Sequence, residues 1–370
     1  MLRFAVLAIF TAVLSAQSTP SPEDLLKEAV AAHQAGKLDE ASKDYRSLLE
    51  LYPDMAMIRA NLGAALAAQG QFTEAIAEYK RALAAHPDPT VRLNLAIAYY
   101  KISELVLAID ELVKVRQAAP DNFQAILLLG DCYLRTGDNK RVIELVTPAQ
   151  RAKPTDAALN YMLGTALVRD GQTAQGQVVI DQILKNGDSA EAHMLMGSTK
   201  MYVKDFAGAR ADFEKAVQLN PSLPDVYAYY GLSLSVTGDQ DGARKAFAKA
   251  LEQDPNNYDA NLRLGMQLRQ DQEYEDAMKY FTRALQVRPG DPGVLYQIAS
   301  VEVAEGKISE ARARLEQLIK DSPNFEEAHI TLATVYYREK RKADGDREKH
   351  IAEQLSAAKQ AQQPGAKAEP

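Results

Sequence analysis

The chain runs to 370 residues, 46% of them hydrophobic and 25% charged, with no Trp, which is the composition of a folded soluble protein. Its net charge of −7 excludes bulk electrostatic attraction to nucleic acid or to an anionic lipid surface. Cys132 is the only cysteine, so an internal disulfide is excluded and stability has to come from packing.

Residues 1–16 differ in character from the rest of the chain. Arg3 supplies one positive charge, Phe4 to Leu14 form an apolar run of eleven residues, and Leu14-Ser15-Ala16 offers a small-residue cleavage site before Gln17. This is the pattern of a secretory signal peptide, and the run is too short to span a bilayer. No Cys succeeds the run as a lipid attachment point, and no later stretch approaches the ~20 apolar residues of a membrane span. The expected product is an exported protein, periplasmic or extracellular, with a short linker over 17–21.

From there the chain repeats itself. Prolines recur at Pro53, Pro87, Pro120, Pro154, Pro221, Pro255, Pro289 and Pro323, with separations of 34, 33, 34, 67, 34, 34 and 34, so one unit lacks its proline. Twenty-four residues before the proline stands Gly or Ala, as at Gly63, Ala96, Gly130, Gly197, Gly231, Gly265 and Ala299. Twelve before it stands Ala in most units, and eight before it a large side chain: Tyr45, Tyr79, Leu112, Val146, Phe213, Phe247, Phe281 or Leu315. Small residues at the first two sites let a pair of helices approach closely, and the large residue fills the space beside them. Proline ends the second helix, and Gly36, Gly70, Gly137, Gly171, Gly238 and Gly306 fall midway, where the chain turns. Asp54, Asp88, Asp121, Asn256 and Asn324 come directly after prolines and are expected to cap the next helix.

A helix–turn–helix unit of 33 or 34 residues with these features resembles the tetratricopeptide repeat family. On that register the units are 22–55, 56–88, 89–122, 123–156, 157–189, 190–223, 224–257, 258–291 and 292–325. Residues 326–359 form a partial tenth unit with a capping helix from about Asp344 to Lys359, whose polar outer face closes the array. Residues 360–370, rich in Ala, Gln, Pro, Gly and Lys, are expected to be disordered. The resemblance implies an all-α, right-handed superhelical solenoid. The family's frequent Trp in the first helix is absent, replaced for example by Leu25, Ile126 and Tyr227.

No signature of catalysis accompanies the repeats. His33, His86, His193, His329 and His350 are scattered without metal-ligand spacing, and neither a phosphate-binding glycine loop nor a nucleophile elbow occurs. The array leaves no room for a catalytic domain, so neither an enzyme nor a cofactor is expected. Cys132 reads as core packing.

In the family the first helices of successive repeats line a concave surface. The resemblance therefore puts Met57, Leu93, Ile97, Tyr100, Leu127, Leu134, Tyr161, Val168, Met194, Met201, Tyr202, Leu232, Met266 and Tyr296 on that face, a set suited to an apolar or amphipathic peptide. Lys101, Arg135 and Arg169 share one repeat position in three successive units and form a basic ladder, beside Asp131. Such a ladder is expected to select an acidic segment or a terminal carboxylate. Asn61 and Asn94 occupy a position that the family uses both structurally and in contacts with a peptide backbone, the structural use ranking first. The chaperone-tail clamp is not reproduced, because Val30 and Ala64 stand where it needs Asn.

Units 4 and 5 depart most from the pattern. Pro148 falls inside a helix, Gly176 replaces the usual Ala, and Asn186-Gly187-Asp188 replaces the closing proline, so a soft joint is expected between about 142 and 189. The function expected from the whole is a non-catalytic, protein-binding scaffold of the bacterial envelope. The alternative is an accessory protein of polysaccharide or lipid export.

Overall fold

A proline denies the residue before it the helical region of backbone space and cannot sit inside a helix without losing a hydrogen bond. In the computed structural model, which describes residues 21–185 and 187–361, each repeat proline comes after a residue whose φ lies between −125° and −148°, from Tyr52 to Ser322. The regular structure of the described residues is twenty α-helices. The expected signal peptide, most of the linker and nearly all of the tail lie outside the described residues.

The chain divides into two compact units, one running through Ala98 and the other beginning at Tyr99. The first contains α1 (Pro22–Gln34), α2 (Leu38–Leu51), α3 (Ala56–Ala68), α4 (Phe72–Ala85) and most of α5 (Pro89–Lys101). The second opens with α6 (Leu105–Ala118), α7 (Phe123–Thr136), α8 (Asn139–Ala152), α9 (Ala157–Arg169) and α10 (Thr173–Leu184). It continues through α11 (Ala190–Tyr202), α12 (Phe206–Leu219), α13 (Val226–Val236), α14 (Gln240–Gln253) and α15 (Tyr258–Gln270). It closes with α16 (Tyr274–Val287), α17 (Pro292–Ala304), α18 (Ile308–Asp321), α19 (Glu326–Arg338) and α20 (Lys342–Ala361). Consecutive helices from α1 to α4 and from α6 to α20 pack on one another, which makes an all-α solenoid. No helix of the described residues is long and apolar enough to cross a membrane.

The repeat residues do the packing. Added Cβ atoms at Gly63, Gly197, Gly231 and Gly265 would lie 2.6 to 2.8 Å from the rings of Tyr79, Phe213, Phe247 and Phe281, so each ring seats on the glycine of its own helix pair. The six mid-repeat glycines all take positive φ, from 75° to 93°. Where the repeat has no glycine at this turn, Ser103, Lys204, Gln272 and Lys340 adopt the same left-handed conformation at φ of 61° to 65°.

One expectation needs correction. Of the expected caps only Asp88 acts as one, its Oδ1 accepting from the N–H groups of Thr90 at 2.7 Å and Val91 at 3.0 Å. Elsewhere the proline turn uses one residue more, and the capping side chains are Asn122, Asp156, Asn257 and Asp291. The division between compact units falls at Ala98–Tyr99, while residues 142–189 lie inside the second unit. There α8 continues through Pro148, and a Cβ at Gly176 would stand 2.8 Å from Val168 Cγ2, so this glycine allows a close approach between α9 and α10.

Candidate peptide-binding faces

In the first unit, the first helices α3 and α5 present a groove of about 400 Å³. Met57, 53% exposed, stands at its edge, and Ala60, Ala64 and Val91 supply a small-residue floor. Asn61 and Asn94 both line this groove, and neither side-chain amide is engaged in a hydrogen bond among the described residues. In the second unit Asn160 and Asn261, two positions earlier in their repeats, instead donate to the carbonyls of Pro154 and Pro255 at 2.9 and 3.0 Å. Of the neighbouring positions, Leu93 is buried and Ile97 half-buried.

In the second unit the ends of the first helices meet a network of aspartates and tyrosines. Burial, with Asp131, pushes the Tyr100 phenol upward, and its hydroxyl donates to Asp131 Oδ2 at 2.6 Å. Arg135 lies over the Tyr100 ring and pairs with Asp254 at 3.0 Å, 119 residues further along the chain. Arg169 donates to Tyr229 Oη at 2.7 Å and to the Leu134 carbonyl at 3.1 Å, and its second terminal nitrogen stands 3.5 Å from Asp225. Arg288 donates to the Arg135 carbonyl at 3.0 Å while stacking over Tyr258, and Asn256 donates to Ser103 Oγ at 2.8 Å. The C-terminal end of α7, negative by its dipole, is thus clamped by two guanidinium groups. A cavity of about 490 Å³ remains beside the network, bordered by Lys101, Arg135, Asp131, Asp225 and Asp254. Lys101 is exposed at its rim.

Asp225 carries a local cost. It occupies the N-cap of α13 with φ of +63°, and its side chain makes no cap hydrogen bond, whereas Asp156, Asn257 and Asp291 cap their helices with negative φ. A left-handed residue other than glycine costs ~1–2 kcal/mol, rather less for Asp. That conformation accompanies a carboxylate facing Arg169 and accepting from Asn257 Nδ2 at 2.7 Å. Burial works against the Arg169 charge, but Tyr229 and Asp225 outweigh it and hold the guanidinium more firmly protonated than usual. Burial also raises the Asp225 carboxyl. Its side chain keeps 37% of its surface in water, which limits that desolvation.

The remaining expected face residues separate by burial. Met194 is 2% exposed and belongs to the core cluster with Phe213 and Val226, so it is no groove residue; Leu134 and Val168 are buried as well. Tyr161 and Met201 pack against that cluster, Leu127 is half-buried, and Tyr202 stands 59% exposed. Cys132 is fully buried, and burial pushes its thiol up to about 12. Asp225, Asp254, Tyr229 and Arg288 escape sequence reasoning. The one local signal is the irregular Pro221-Ser222-Leu223-Pro224-Asp225 stretch, which replaces the usual single-proline turn.

Known proteins share the helical repeat. A family profile described as the cytochrome c-type biogenesis protein H TPR domain matches residues 177–295, and profiles described as tetratricopeptide repeat match 268–335, 26–90 and 64–123. The Protein CTR9 homolog of Arabidopsis thaliana is 29% identical over 190 residues, 49% of this chain and 17% of that protein. The Vi polysaccharide export protein VexE of Salmonella typhi is 25% identical over 222 residues, 58% of this chain and 34% of that protein. The chain thus matches about a sixth and a third of the length of these relatives. Among solved structures, the APC/C hetero-tetramer Cut9–Hcn1 aligns at a TM-score of 0.59 and 16% identity, covering 91% of this chain and 81% of the other. A repeat protein from Parabacteroides merdae aligns at 0.54 and 18%, covering 63% and 93%. At these identities the structural likeness shows the fold alone.

Proposed function

Because the chain belongs to the tetratricopeptide repeat family, we propose that it is a non-catalytic scaffold that holds an extended peptide segment of a partner protein along its first-helix faces. The observation that carries this reading is the pair of unengaged amides, Asn61 and Asn94, over a small-residue groove beside exposed Met57. Each amide offers a donor and an acceptor, the complement of a peptide backbone, and the adaptable Met accommodates varied side chains. In the second unit, exposed Lys101 offers a separate contact that favours an acidic stretch. The signal-like residues 1–16 support a site of work outside the cytoplasm, in a bacterial envelope.

The test is site-specific photocrosslinking from Met57 in the exported protein, with the crosslinked segment identified by mass spectrometry and then synthesised as a peptide. Two hydrogen bonds at ~0.5–1.5 kcal/mol each make N61A/N94A bind that peptide about tenfold more weakly. Unchanged affinity in the double variant would remove the groove from the function. The 25% identity with VexE over 58% of the chain favours one second reading, an accessory role in polysaccharide export. Retention of the protein on an immobilised envelope polysaccharide, with no peptide crosslinked from Met57, would decide for it.

A further inference from the structure

The two arginines that repeat spacing offers to a partner's carboxylates already hold carboxylates of their own chain. Arg135 meets Asp254 at 3.0 Å and Arg169 meets Asp225 at 3.5 Å, with the arginine side chains only 20% and 18% exposed. The acceptors come from the turns around α13 and α14, far along the chain, so the pairing exists only because the second unit curls back on itself. Asn256 on Ser103 and Arg288 on the Arg135 carbonyl close the same seam. Asp225 gives up a helix cap and takes a left-handed backbone in the arrangement that presents its carboxylate, and, unlike the other left-handed side-chain residues, it does so at a helix start and not at the mid-repeat turn. A cavity of about 490 Å³ lies beside both pairs, with exposed Lys101 at its rim.

We infer that Asp225 and Asp254 are built-in occupants of the cationic face, holding the second unit closed and competing with an acidic segment of the partner. This rests on the reading of the chain as a peptide scaffold. The side chains of Arg135 and Arg169 recognise carboxylates in either state; what changes is whose. In the closed state only Lys101 is open to a partner. An acidic segment entering from that rim exchanges with Asp254 and then Asp225, because a ligand that pairs with the arginines only in the open state shifts the population toward it. Apparent affinity is lowered by the fraction of molecules that are closed, so weakening the internal pairs strengthens binding without adding a contact to the partner.

Asparagine is the right probe. D254N keeps an Oδ1 acceptor for the Asn256 N–H, D225N keeps one for Asn257 Nδ2, and Asn tolerates the left-handed backbone at 225. Both substitutions remove the charge and leave the turns. Spin labels on K140C and Q286C, both at exposed positions on either side of the seam, report the closure in the full chain without any partner. The expected result is a single short distance in the wild type that broadens to longer values in D225N/D254N and in wild type at high salt. The same double variant is expected to bind an acetylated, amidated oligo-glutamate peptide about tenfold more tightly than wild type, by fluorescence anisotropy. An unchanged distance distribution in D225N/D254N, with the helical circular dichroism intact, overturns the closure. A lengthened distance with no gain in peptide affinity overturns the competition and with it the preference for an acidic partner. Neither outcome touches the Asn61 and Asn94 groove, whose crosslinking test stands apart.

Discussion

Phe281 on α16 lies so close over Gly265 on α15 that a Cβ added at the glycine would sit 2.6 Å from a ring carbon. The ring is fully buried, so it has nowhere to retreat. G265A therefore sets two effects against each other. Alanine is worth about 1 kcal/mol more than glycine in a helix interior, whereas overpacking a core costs ~1–3 kcal/mol. Relieving the contact needs a shift that a locked ring cannot make, so the variant should be less stable, by about 1 kcal/mol net. The unit ending in α18 shows the compensating solution, Ala299 packed in one cluster with Leu315. G265A/F281L should recover part of the loss, and chemical denaturation of wild type, both single variants and the double variant measures the coupling. G265A as stable as wild type would mean that the seam is softer than the geometry says.

His329 and Glu348 form a buried pair beneath the last helix. Nε2 of the imidazole donates to the Pro323 carbonyl at 3.0 Å, and Nδ1 meets the Glu348 carboxyl at 2.8 Å, both side chains being 5% exposed. Removing His329 takes one buried partner from Glu348, which keeps only Arg347 Nε at 3.2 Å, and the loss of such a partner costs ~1–3 kcal/mol. H329A should accordingly loosen α20 from α19, while H329L/E348L, which removes both polar groups, should cost much less. Amide exchange localised to 342–361 reads this out. Equal protection in H329A and wild type would show that α20 is held by other contacts.

What is legible in the sequence is what one repeat decides for itself. The break before each proline, the glycine–aromatic seam and the mid-repeat turn all involve residues within one helix pair, and each recurs often enough to be seen against the noise. Most caps stand one residue later than the sequence suggests, because the length of the proline turn, unlike its presence, leaves no mark in composition. The pairing of Arg135 with Asp254, across 119 residues, and of Arg169 with Tyr229, across 60, depends on the curvature accumulated over several repeats. No local pattern carries that curvature. The ladder is therefore visible in the sequence, but the acidic residues that occupy it are not.

Four turns pay for a side chain that glycine would spare them. Gln272 and Lys340 take φ of +65° and +61° at the position where Gly238 and Gly306 stand in neighbouring repeats. The left-handed conformation costs a side-chain-bearing residue ~1–2 kcal/mol, and glycine returns ~0.4–1 kcal/mol of that through the freedom of the unfolded chain. Q272G and K340G should each stabilise the protein by about 0.5–1 kcal/mol. Gln272 is exposed and Lys340 lies at the surface, so a fall in the denaturation midpoint of either variant would count against the strain.

Asp88 gives the first unit a dependence on pH whose sign can be worked out. The Val91 N–H holds its carboxyl below the usual carboxylate range at the start of α5, opposed by burial and helped further by the Thr90 N–H. A carboxyl whose folded value lies below its unfolded one contributes stability that is present above the ordinary carboxylate range. That contribution is lost as the pH falls through the depressed value. The loss of this cap in D88A costs about 1 kcal/mol at neutral pH, whereas D88N keeps an acceptor oxygen and should lose only a few tenths. The discriminating measurement is the exchange rate of the Thr90 and Val91 amides between neutral and acid conditions. In wild type their protection should drop on acidification, and in D88N it should stay flat once the intrinsic pH dependence of exchange is divided out. A D88N profile that falls in parallel with the wild type would assign the acid sensitivity of this helix start to some other group.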